Sequence, residues 1–451
     1  MIQLINPSTS KNLETQKNYF REPNLGILYL AAILEQNDIP VDVLDLEQYF
    51  EFTKIERKAL IKERIKSYQI FGITSLTNTY HIALETARII KNHIKNSYII
   101  LGGPHVTFMY QEILENDKKT ENLIDFVCIG EAERSFLNLV KILISKIQFN
   151  IELEIFETRL KNMGGLAFID SKGNLNVNQS VKETEIESLP LPARHLLAPE
   201  YHYYTVATVI ANRGCPNQCS FCSRQKLFKK TKIRSIKSIL AEVRDIISLQ
   251  TYNYINFYDN INISKGFFRD FCKMFIDNDI KIPWGCELRI DIISDEDARI
   301  LKDAGCRLIA TGIESASVKV LQNNFKIQNP ELVKNGLFNI KKYNIPVQVY
   351  FVLGLPGETD STFEETINYI KDLPLDDGDT LNYFIATPYP GSRLWDEKKN
   401  FNINIIEHNF AKYDCDHIIF ETEDLNRETL KKMFDVAKKV ERGSELKRIS
   451  S

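Results

Sequence analysis

Residues 212–223 read Asn212-Arg-Gly-Cys215-Pro-Asn-Gln-Cys219-Ser-Phe-Cys222-Ser223, and this stretch decides how the rest of the chain is interpreted. Three residues separate Cys215 from Cys219, and two separate Cys219 from Cys222. A thiolate is a soft ligand that suits an iron–sulfur cluster or zinc. Three thiolates with no fourth at short range would leave one iron of a four-iron cluster open for a substrate or cofactor.

A structural zinc knuckle and a metal-free turn are the alternative interpretations of this stretch. A zinc knuckle needs a fourth Cys or His at short range. The next cysteines, Cys272 and Cys286, lie 50 and 64 positions after Cys222. The spacing therefore favours an open cluster site.

The CxxxCxxC pattern, with the aromatic Phe221 before its last cysteine, resembles the signature of the radical SAM enzymes. The resemblance implies a [4Fe-4S] cluster, held by Cys215, Cys219 and Cys222, whose open iron binds the amino and carboxylate groups of S-adenosylmethionine (SAM). An electron from the cluster would cleave the sulfonium and release a 5′-deoxyadenosyl radical. Phe221 is then expected beside the adenine, because apolar rings stack on bases.

Length and composition indicate a globular protein of several domains. The 451 residues are too many for one ordinary domain, and 43% are hydrophobic and 26% charged. A net charge of −3 argues against a generic nucleic-acid binder, and the lysine pairs 229–230 and 431–432 are interpreted as solvated faces. We predict a cytoplasmic protein with no transmembrane segment, because no apolar run is long enough, no signal peptide is evident, and the scattered cysteines suit a reducing compartment.

Residues 1–145 alternate short apolar strands with amphipathic helices, which is typical of a parallel α/β sheet. Helices that cross between parallel strands place a ligand crevice at the carboxyl ends of the strands. No GxGxxG follows a strand, which argues against a dinucleotide, and no acids follow the first strand, which argues against a phosphoacceptor. The predicted strands are 2–5, 41–46, 70–75, 98–101 and 126–129.

The loops 75–80, 102–107 and 130–133, together with residues 24–32, resemble the cobalamin-binding domain that precedes the radical core in one large subclass. The resemblance implies a Rossmann-like fold in which the loop after the third strand faces the cobalt. The Gly-Gly and Gly-Glu loops would then hold the corrin and its nucleotide tail, the paired glycines allowing close approach of a flat ligand. The residues expected to contact cobalamin are Ser75, Thr77, Gly102, Gly103, Gly130 and Glu131.

One feature of the better-known cobalamin proteins is absent, namely the DxHxxG that supplies a lower axial histidine. Members of the radical subclass often lack it, so either the site works without that histidine or the domain has lost its ligand. His81 and His105 are the histidines near the predicted site, and we expect each to hydrogen-bond rather than to bind cobalt.

Residues 146–204 interrupt the alternation and are predicted to be a linker without a catalytic role. The pattern predicts a strand at 151–156 and a hairpin formed by 165–170 and 174–177. Leu189-Pro-Leu-Pro192 then stiffens the chain, because each proline fixes its own φ and restricts its predecessor.

Residues 205–395 resume the alternation, and six strands, most followed by a helix, predict a partial (β/α)6 TIM-like barrel. Its chemistry should lie where the carboxyl ends of the strands converge. The fold class is therefore α/β, with a Rossmann-like domain, a radical SAM barrel and a short C-terminal extension. The predicted barrel strands are 206–211, 254–258, 284–290, 308–312, 348–353 and 381–385.

Three charged residues at these strand ends suit SAM, whose ammonium needs a carboxylate and whose carboxylate needs an arginine or a backbone N–H. Asp259, Arg289 and Glu314 are the candidates. Each also has a structural interpretation: Asp259 ends a strand, Arg289 pairs with Glu287 or Asp291, and Glu314 caps a helix. The order of blocks around Arg289, 312–315, 354–358 and 388–391 resembles that of the family and implies that Glu314 binds the methionine or ribose of SAM.

Residues 396–451 carry one predicted helix, 426–439, and no second cysteine cluster. This C-terminal extension is predicted to cover the barrel mouth. The absence of a second cluster argues against the sulfur-inserting radical enzymes, which carry an auxiliary one.

The sequence thus favours a cobalamin-binding radical SAM enzyme that methylates an unactivated carbon of a small-molecule or lipid substrate. An electron donor such as flavodoxin or ferredoxin is expected, and we assign no catalytic residue beyond the cluster ligands. Two alternatives stay open: an oxidative cyclisation or rearrangement without methyl transfer, and a non-catalytic iron–sulfur or cobalamin sensor.

Overall fold

The computed structural model describes residues 2–7, 22–49, 51–179, 184–198 and 203–449, with the backbone alone at residue 259 and at 441–449. The chain divides into two compact units, Met1–Tyr204 and Thr205–Ser451. No helix in the described part of the chain combines the length and the apolar character that a membrane span requires.

The first unit is built on one sheet, which contains seven strands within the described residues and follows the order β2-β1-β3-β4-β5-β6-β7. The pairs from β2 to β5 are parallel, whereas β6 and β7 form an antiparallel hairpin at the edge. The strands are β1 Ile2–Asn6, β2 Val41–Asp45, β3 Ile70–Thr74, β4 Tyr98–Gly102, β5 Phe126–Cys128, β6 Leu166–Ile169 and β7 Leu175–Asn178; the helices are α1 Leu25–Gln36, α2 Lys54–Arg64, α3 Tyr80–His93, α4 Pro104–Lys119, α5 Glu133–Phe149 and α6 Leu153–Lys161.

The predicted strand at 151–156 is wrong, because this stretch begins α6. Its buried side chains, Phe156 and Leu160, are four residues apart, which is the spacing of one helix face. Helices α2 and α4 were not predicted either. Pro104 begins α4 at the first helical position, where a missing N–H costs nothing, so Thr107 lies in the first turn and not in a loop.

The range 146–204 was predicted to be a linker, and that assignment stays a prediction. Its described parts nevertheless contribute β6 and β7 to the sheet and then pack on the same unit. Ala193 N donates to Leu28 O on α1 at 3.1 Å. Farther along, the buried Tyr204 hydroxyl donates to Asp45 Oδ2, at the end of β2, at 2.6 Å.

The second unit is built on a parallel sheet that contains six strands within the described residues, in the order β15-β14-β13-β12-β11-β8. Each of the six predicted barrel strands is present, and the predicted α/β class is confirmed. The strands of this unit are β8 Val206–Val209, β9 Asn212–Arg213, β10 Lys232–Ile233, β11 Tyr254–Asn260, β12 Trp284–Glu287, β13 Cys306–Glu314, β14 Val347–Leu353, β15 Thr380–Ile385, β16 Asn404–Ile405 and β17 Phe420–Glu421.

Several helices of the second unit begin at side-chain caps that the sequence supplies. Ser235, Ser264 and Ser294 each accept a hydrogen bond from a backbone N–H of the first turn, which satisfies a donor that the helix itself leaves unpaired. These helices are α7 Arg224–Leu227, α8 Ile236–Leu249, α9 Lys265–Asp277, α10 Asp295–Asp303, α11 Val318–Asn323, α12 Pro330–Lys341, α13 Asp360–Lys371, α14 Arg393–Asp396 and α15 Arg427–Ile449.

Aromatic packing fixes helix α9 against the sheet. Trp284 is fully buried on β12, and its ring stacks on Phe275 with the ring centroids 4.8 Å apart. Phe257 and Phe271 meet the same indole edge-on, and the indole N–H donates to Ala304 O at 2.8 Å. Rings of this size contribute a large share of core stability, about 3–5 kcal/mol each when truncated to alanine.

Candidate functional site

A cavity of about 260 Å³ in the second unit lies where β11, β12 and β13 end. Its lining joins the three clustered cysteines to polar and charged side chains from these strand ends and from the loop before α12. The lining residues used below are Cys215, Asn217, Cys219, Phe221, Cys222, Asn260, Arg289, Gly312, Glu314, Lys326 and Ile327.

Contacts with distant parts of the chain hold the cysteine loop in place. Ser220 N donates to Asn324 O at 2.9 Å, and the Ser220 hydroxyl donates to Asn324 Oδ1 at 2.7 Å. Leu394 N donates to Ser220 O at 3.0 Å. Both Ser220 and Asn324 are fully buried, and three hydrogen bonds hold Ser220, one of the two residues between the second and third cysteines.

The three thiols are soft ligands that suit an iron–sulfur cluster. Among the described residues, no group of three or more His, Cys, Asp or Glu side chains is arranged to hold one ion. In a four-iron cluster each thiolate binds a different iron, and all three cysteines line this one cavity. Burial raises the pKa of Cys219 to about 11, so a metal must displace its proton.

Glu314 has a left-handed backbone conformation, which is uncommon for residues other than glycine. Its φ is +65°, in the left-handed region, where β13 slips its register against β14. The carboxylate folds back over Gly312, so closely that a Cβ added there would lie 2.2 Å from Glu314 Oε1. A side chain at position 312 would therefore displace the carboxylate.

Lys326 is a charged residue of the cavity that the sequence interpretation missed. Its ammonium donates to Glu314 Oε1 at 2.9 Å and to Gly312 O at 3.1 Å, with 17% of the side chain exposed. The nearby Glu314 and Cys219 raise the pKa of Lys326 against the opposing effect of burial. Lys326 follows Glu314 by 12 positions in no motif, so nothing in the sequence separated it from surface lysines.

Arg289 also lines the cavity, but its guanidinium is held by protein groups. It makes a bidentate pair with Asp291, at 3.1 Å and 2.6 Å, which is one of the two pairings considered from the sequence. It also donates to Asn217 Oδ1 in the cysteine loop and to Ile327 O. Arg289 therefore links the cysteine loop to the loop that carries Lys326, and a role in binding SAM stays a prediction.

Phe221 and Asp259 are the two remaining predicted residues of this unit, and only the side chain of Phe221 is described. Phe221 lines the cavity and packs against the apolar cluster of Leu355, Leu394 and Tyr413. Asp259 lies on β11, but its side chain falls outside the described residues.

The first unit has its own group of candidate residues at the carboxyl ends of β3, β4 and β5. Ser75 is fully buried, and its N–H donates to Gly102 O at 2.8 Å. Gly103 has a φ of +103°, and a Cβ there would lie 2.6 Å from Ser75 O. A Cβ at Gly102 meets no protein atom within 4 Å, so the backbone is uncovered there, as the approach of a large flat ligand requires.

His105 makes the kind of contact that was expected of a hydrogen-bonding residue. It is buried, with Nδ1 3.3 Å from the Thr77 hydroxyl and its ring 4.6 Å from that of Tyr80. Burial lowers the pKa of His105 to about 4, so the imidazole is neutral at physiological pH. His81, by contrast, is exposed.

Thr107 joins two of the predicted loops and was not singled out from the sequence. Its hydroxyl donates to Gly103 O at 2.8 Å and accepts from Gly130 N at 3.1 Å. Gly130 has a φ of +72°, which favours glycine, and Glu131 follows it before α5 begins at Glu133. The structure therefore brings the Ser75, Gly103 and Gly130 loops together, and their contact with cobalamin stays a prediction.

Comparison with protein families gives two matches that occupy different parts of the chain. The family model described as "Radical SAM superfamily" matches residues 209–370. The one described as "B12 binding domain" matches residues 15–140. The cysteine loop lies in the first matched range, and the Ser75, Gly103 and Gly130 loops lie in the second.

Individual proteins are similar to most of this chain. An uncharacterised methyltransferase of Pyrococcus horikoshii is 28% identical over 421 residues, covering 91% of this chain and 86% of that protein. The anaerobic magnesium-protoporphyrin IX monomethyl ester cyclase of Cereibacter sphaeroides is 25% identical over 90% of this chain, which spans only 64% of the cyclase. The radical S-adenosylmethionine methyltransferase TsrM from Kitasatospora setae shares the fold, with a TM-score of 0.70 at 14% identity, covering 96% of this chain and 90% of TsrM.

Proposed function

We propose that this chain, which belongs to the radical SAM enzymes with a B12-binding domain, transfers a methyl group to an unactivated carbon of a small-molecule or lipid substrate. The observation that carries the proposal is the cavity that unites Cys215, Cys219 and Cys222 with the Glu314–Lys326 ion pair, in a chain that also contains a B12-binding domain. Similarity to a protein named as a methyltransferase over 91% of the chain supports methyl transfer as the outcome.

The cofactors fit the donor sets that the two units present. Cys215, Cys219 and Cys222 would hold a [4Fe-4S] cluster, and the loops of Ser75, Gly102–Gly103 and Gly130–Glu131 would hold cobalamin. When bound, the cluster supplies the electron that cleaves SAM, and methylcobalamin supplies the methyl group.

Glu314 and Lys326 are proposed to bind the amino-acid end of SAM, which carries one positive and one negative charge. The Glu314 carboxylate suits the SAM ammonium, and the Lys326 ammonium suits the SAM carboxylate. Glu314 and Lys326 form an ion pair with each other in the structure. When SAM binds, this one ion pair would be replaced by two, one between Glu314 and the SAM ammonium and one between Lys326 and the SAM carboxylate. Arg289 would position the cysteine loop through Asn217, and Phe221 would offer an apolar wall to the adenine.

Cyclisation or rearrangement without methyl transfer is the second candidate. The similarity to a magnesium-protoporphyrin ester cyclase over 90% of the chain favours it. Both candidates use the same radical and differ in whether a methyl group is consumed.

Product analysis under anaerobic conditions separates these candidates. The cluster is reconstituted, hydroxocobalamin is added, the unbound fraction is removed, and a visible spectrum records the corrin that stays bound. Reductant and SAM are then added, and 5′-deoxyadenosine and S-adenosylhomocysteine are both quantified. Retained corrin with both products supports methyl transfer, whereas retained corrin with 5′-deoxyadenosine alone supports cyclisation or rearrangement. A protein that retains no corrin contradicts the cobalamin part of the proposal.

A further inference from the structure

We infer that residues 224–237, which we call the basic segment, form the docking surface for a small acidic electron-carrier protein that reduces the cluster. The inference rests on the proposed function only in requiring a cluster at Cys215, Cys219 and Cys222. The reduced carrier loses one electron, which crosses to the cluster site. That electron is consumed as the C5′–S bond of SAM breaks to methionine and the 5′-deoxyadenosyl radical.

The basic segment contrasts in charge with the whole chain. It reads Arg224-Gln-Lys-Leu-Phe-Lys-Lys-Thr-Lys-Ile-Arg-Ser-Ile-Lys237, which contains seven cationic side chains and no acidic one. The complete chain, in contrast, has a net charge of −3. Positive charge is therefore concentrated in this segment, although the chain as a whole is slightly negative.

The fold places the basic segment directly against the cysteine loop. The segment begins two residues after Cys222, which is exposed to solvent. Its strand β10 pairs antiparallel with β9, so that Lys232 is the partner of Arg213 at the entrance to the loop. A Cβ added to Gly214, the residue before Cys215, would lie only 2.6 Å from Lys230 O. The cationic segment is therefore packed on the backbone that carries the first cysteine.

The side chains of the segment divide into an anchor and an exposed set. Arg234 is the anchor, because it is buried, forms an ion pair with the buried Glu242 and donates to Ile210 O at 3.0 Å. Lys229, Lys230 and Lys237 are exposed, as is Lys226, which pairs with Asp396 at 2.6 Å. A fixed backbone thus presents several lysines to solvent next to an exposed cysteine.

An acidic carrier is the occupant that this arrangement favours. Electron-transfer partners associate briefly over small interfaces, which bury little surface. Complementary charge therefore matters more for them, because it raises the rate of association. A positive surface steers an acidic protein toward itself and raises its association rate about 10- to 1,000-fold at low salt. Steering to this surface would bring the carrier to the cysteine side of the cavity, where the electron is needed.

The test compares a protein reductant with a small one, in a variant whose surface charge is reversed. The variant is Lys229→Glu/Lys237→Glu, and the matched control is Lys431→Glu/Lys439→Glu, which makes the same charge change at exposed positions of α15. For each protein with a reconstituted cluster, 5′-deoxyadenosine formation is measured with reduced flavodoxin and with dithionite. Binding of oxidised flavodoxin to the same reconstituted proteins, followed by flavin fluorescence anisotropy, gives a readout that is independent of turnover.

We expect the segment variant to lose about 10-fold or more in flavodoxin-driven kcat/KM at low salt, to bind flavodoxin correspondingly more weakly, and to keep its dithionite-driven rate. The wild-type advantage should shrink as salt screens the charges. Equal losses with flavodoxin and dithionite would overturn the inference, because the lysines would then serve SAM or the substrate. No loss, or the same loss in the α15 control, would overturn it as well. Dithionite-driven cleavage of SAM without methyl transfer would contradict the proposed function and leave this inference intact.

Discussion

Lys326 Nζ lies 2.9 Å from Glu314 Oε1, and this ion pair stands inside the cavity that the three cysteines line. The two side chains are only 17% and 9% exposed, so each charge depends on the other for compensation. Removing one partner of such a pair is costly, whereas removing both is tolerated better.

The ion pair therefore predicts opposite behaviour for stability and for SAM binding. Lys326→Met should lower the free energy of unfolding of the second unit by about 3 kcal/mol, because the Glu314 charge is left unpaired. Adding Glu314→Gln should restore much of that stability without restoring SAM affinity. Urea unfolding followed by tryptophan fluorescence is suitable, since Trp284 and Trp395, the two tryptophans of the chain, both lie in this unit. A double variant that binds SAM like the wild type would show that the pair is purely structural.

Gly312→Ala should weaken SAM binding with a smaller effect on folding. The added methyl group would lie 2.2 Å from Glu314 Oε1, and the carboxylate must move to make room. Gly266→Ala on α9 is the control, because a Cβ there meets no protein atom within 4 Å. Isothermal titration of the reconstituted proteins with SAM measures both, and equal affinities in the two variants would contradict a ligand role for Glu314.

The neighbouring glycines of the first unit should respond differently to substitution. Gly103→Ala should destabilise this unit, because position 103 has a positive φ and its Cβ would meet Ser75 O. Gly102→Ala should leave stability nearly unchanged and yet lower corrin retention, if a flat ligand approaches the uncovered backbone at that position. Thermal unfolding by circular dichroism and the visible spectrum of retained hydroxocobalamin provide the two readouts. Unchanged corrin retention in Gly102→Ala would contradict the predicted placement of the ligand.

Each of Cys215→Ala, Cys219→Ala and Cys222→Ala should abolish 5′-deoxyadenosine formation and lower the iron content after reconstitution. Cluster ligands act as a unit, so we expect losses of at least about 100-fold for each variant. Cys128→Ala, a buried cysteine of the first unit, should keep both properties. Full iron content in any of the three variants would contradict the ligand assignment for that cysteine.

Glu358 makes stability depend on pH. Its carboxyl group is buried, and burial raises its pKa from the ordinary 4.5 to about 7, although Gly354 N donates to Oε2. The folded chain thus binds this proton more tightly than the unfolded chain, so stability falls as the pH rises from about 4.5 to about 7 and is level above that.

Glu358→Gln should consequently stabilise the second unit at high pH. We expect a gain of about 3 kcal/mol at pH 8 and a gain about 2 kcal/mol smaller at pH 5, since the amide carries no charge to desolvate. Urea unfolding by tryptophan fluorescence at both pH values measures the difference, and Glu364→Gln, at an exposed position on α13, is the control. A gain that does not change with pH would contradict the raised pKa.

Sequence patterns predicted the strands and helices whose apolar residues follow a clear pattern over a short stretch of the chain. The apolar run that became β3 was evident because a parallel strand buried on both faces is almost continuously apolar, whereas β14 was recognised from apolar residues of which every second one is fully buried. The helix α6 was mistaken for a strand because charged residues interrupt its short apolar pattern. Cysteine spacing identified the cluster loop without any knowledge of its surroundings.

The rest of the site depends on contacts between residues far apart in sequence. Asn324 holds Ser220 from 104 positions away, and Thr107 reaches Gly130 from 23 positions away. Arg289 could be assigned only as one of two alternatives, since its pairing with Asp291 depends on the short helical turn that follows β12. No short sequence motif marks Lys326 or these polar contacts. The cysteines could therefore be predicted from the sequence, whereas the residues that hold the cysteine loop in place could not.

The order of the sheet in the second unit has a consequence for the space in which the cavity lies. Strands β8 and β15 stand at its two edges and are not hydrogen-bonded to each other within the described residues. A closed eight-stranded barrel fills its interior with layers of its own side chains and admits ligands only through its end. A sheet that stops at six strands is not closed in this way, so its own side chains need not fill the space above the strand ends, where the cavity of Cys215, Cys219 and Cys222 lies.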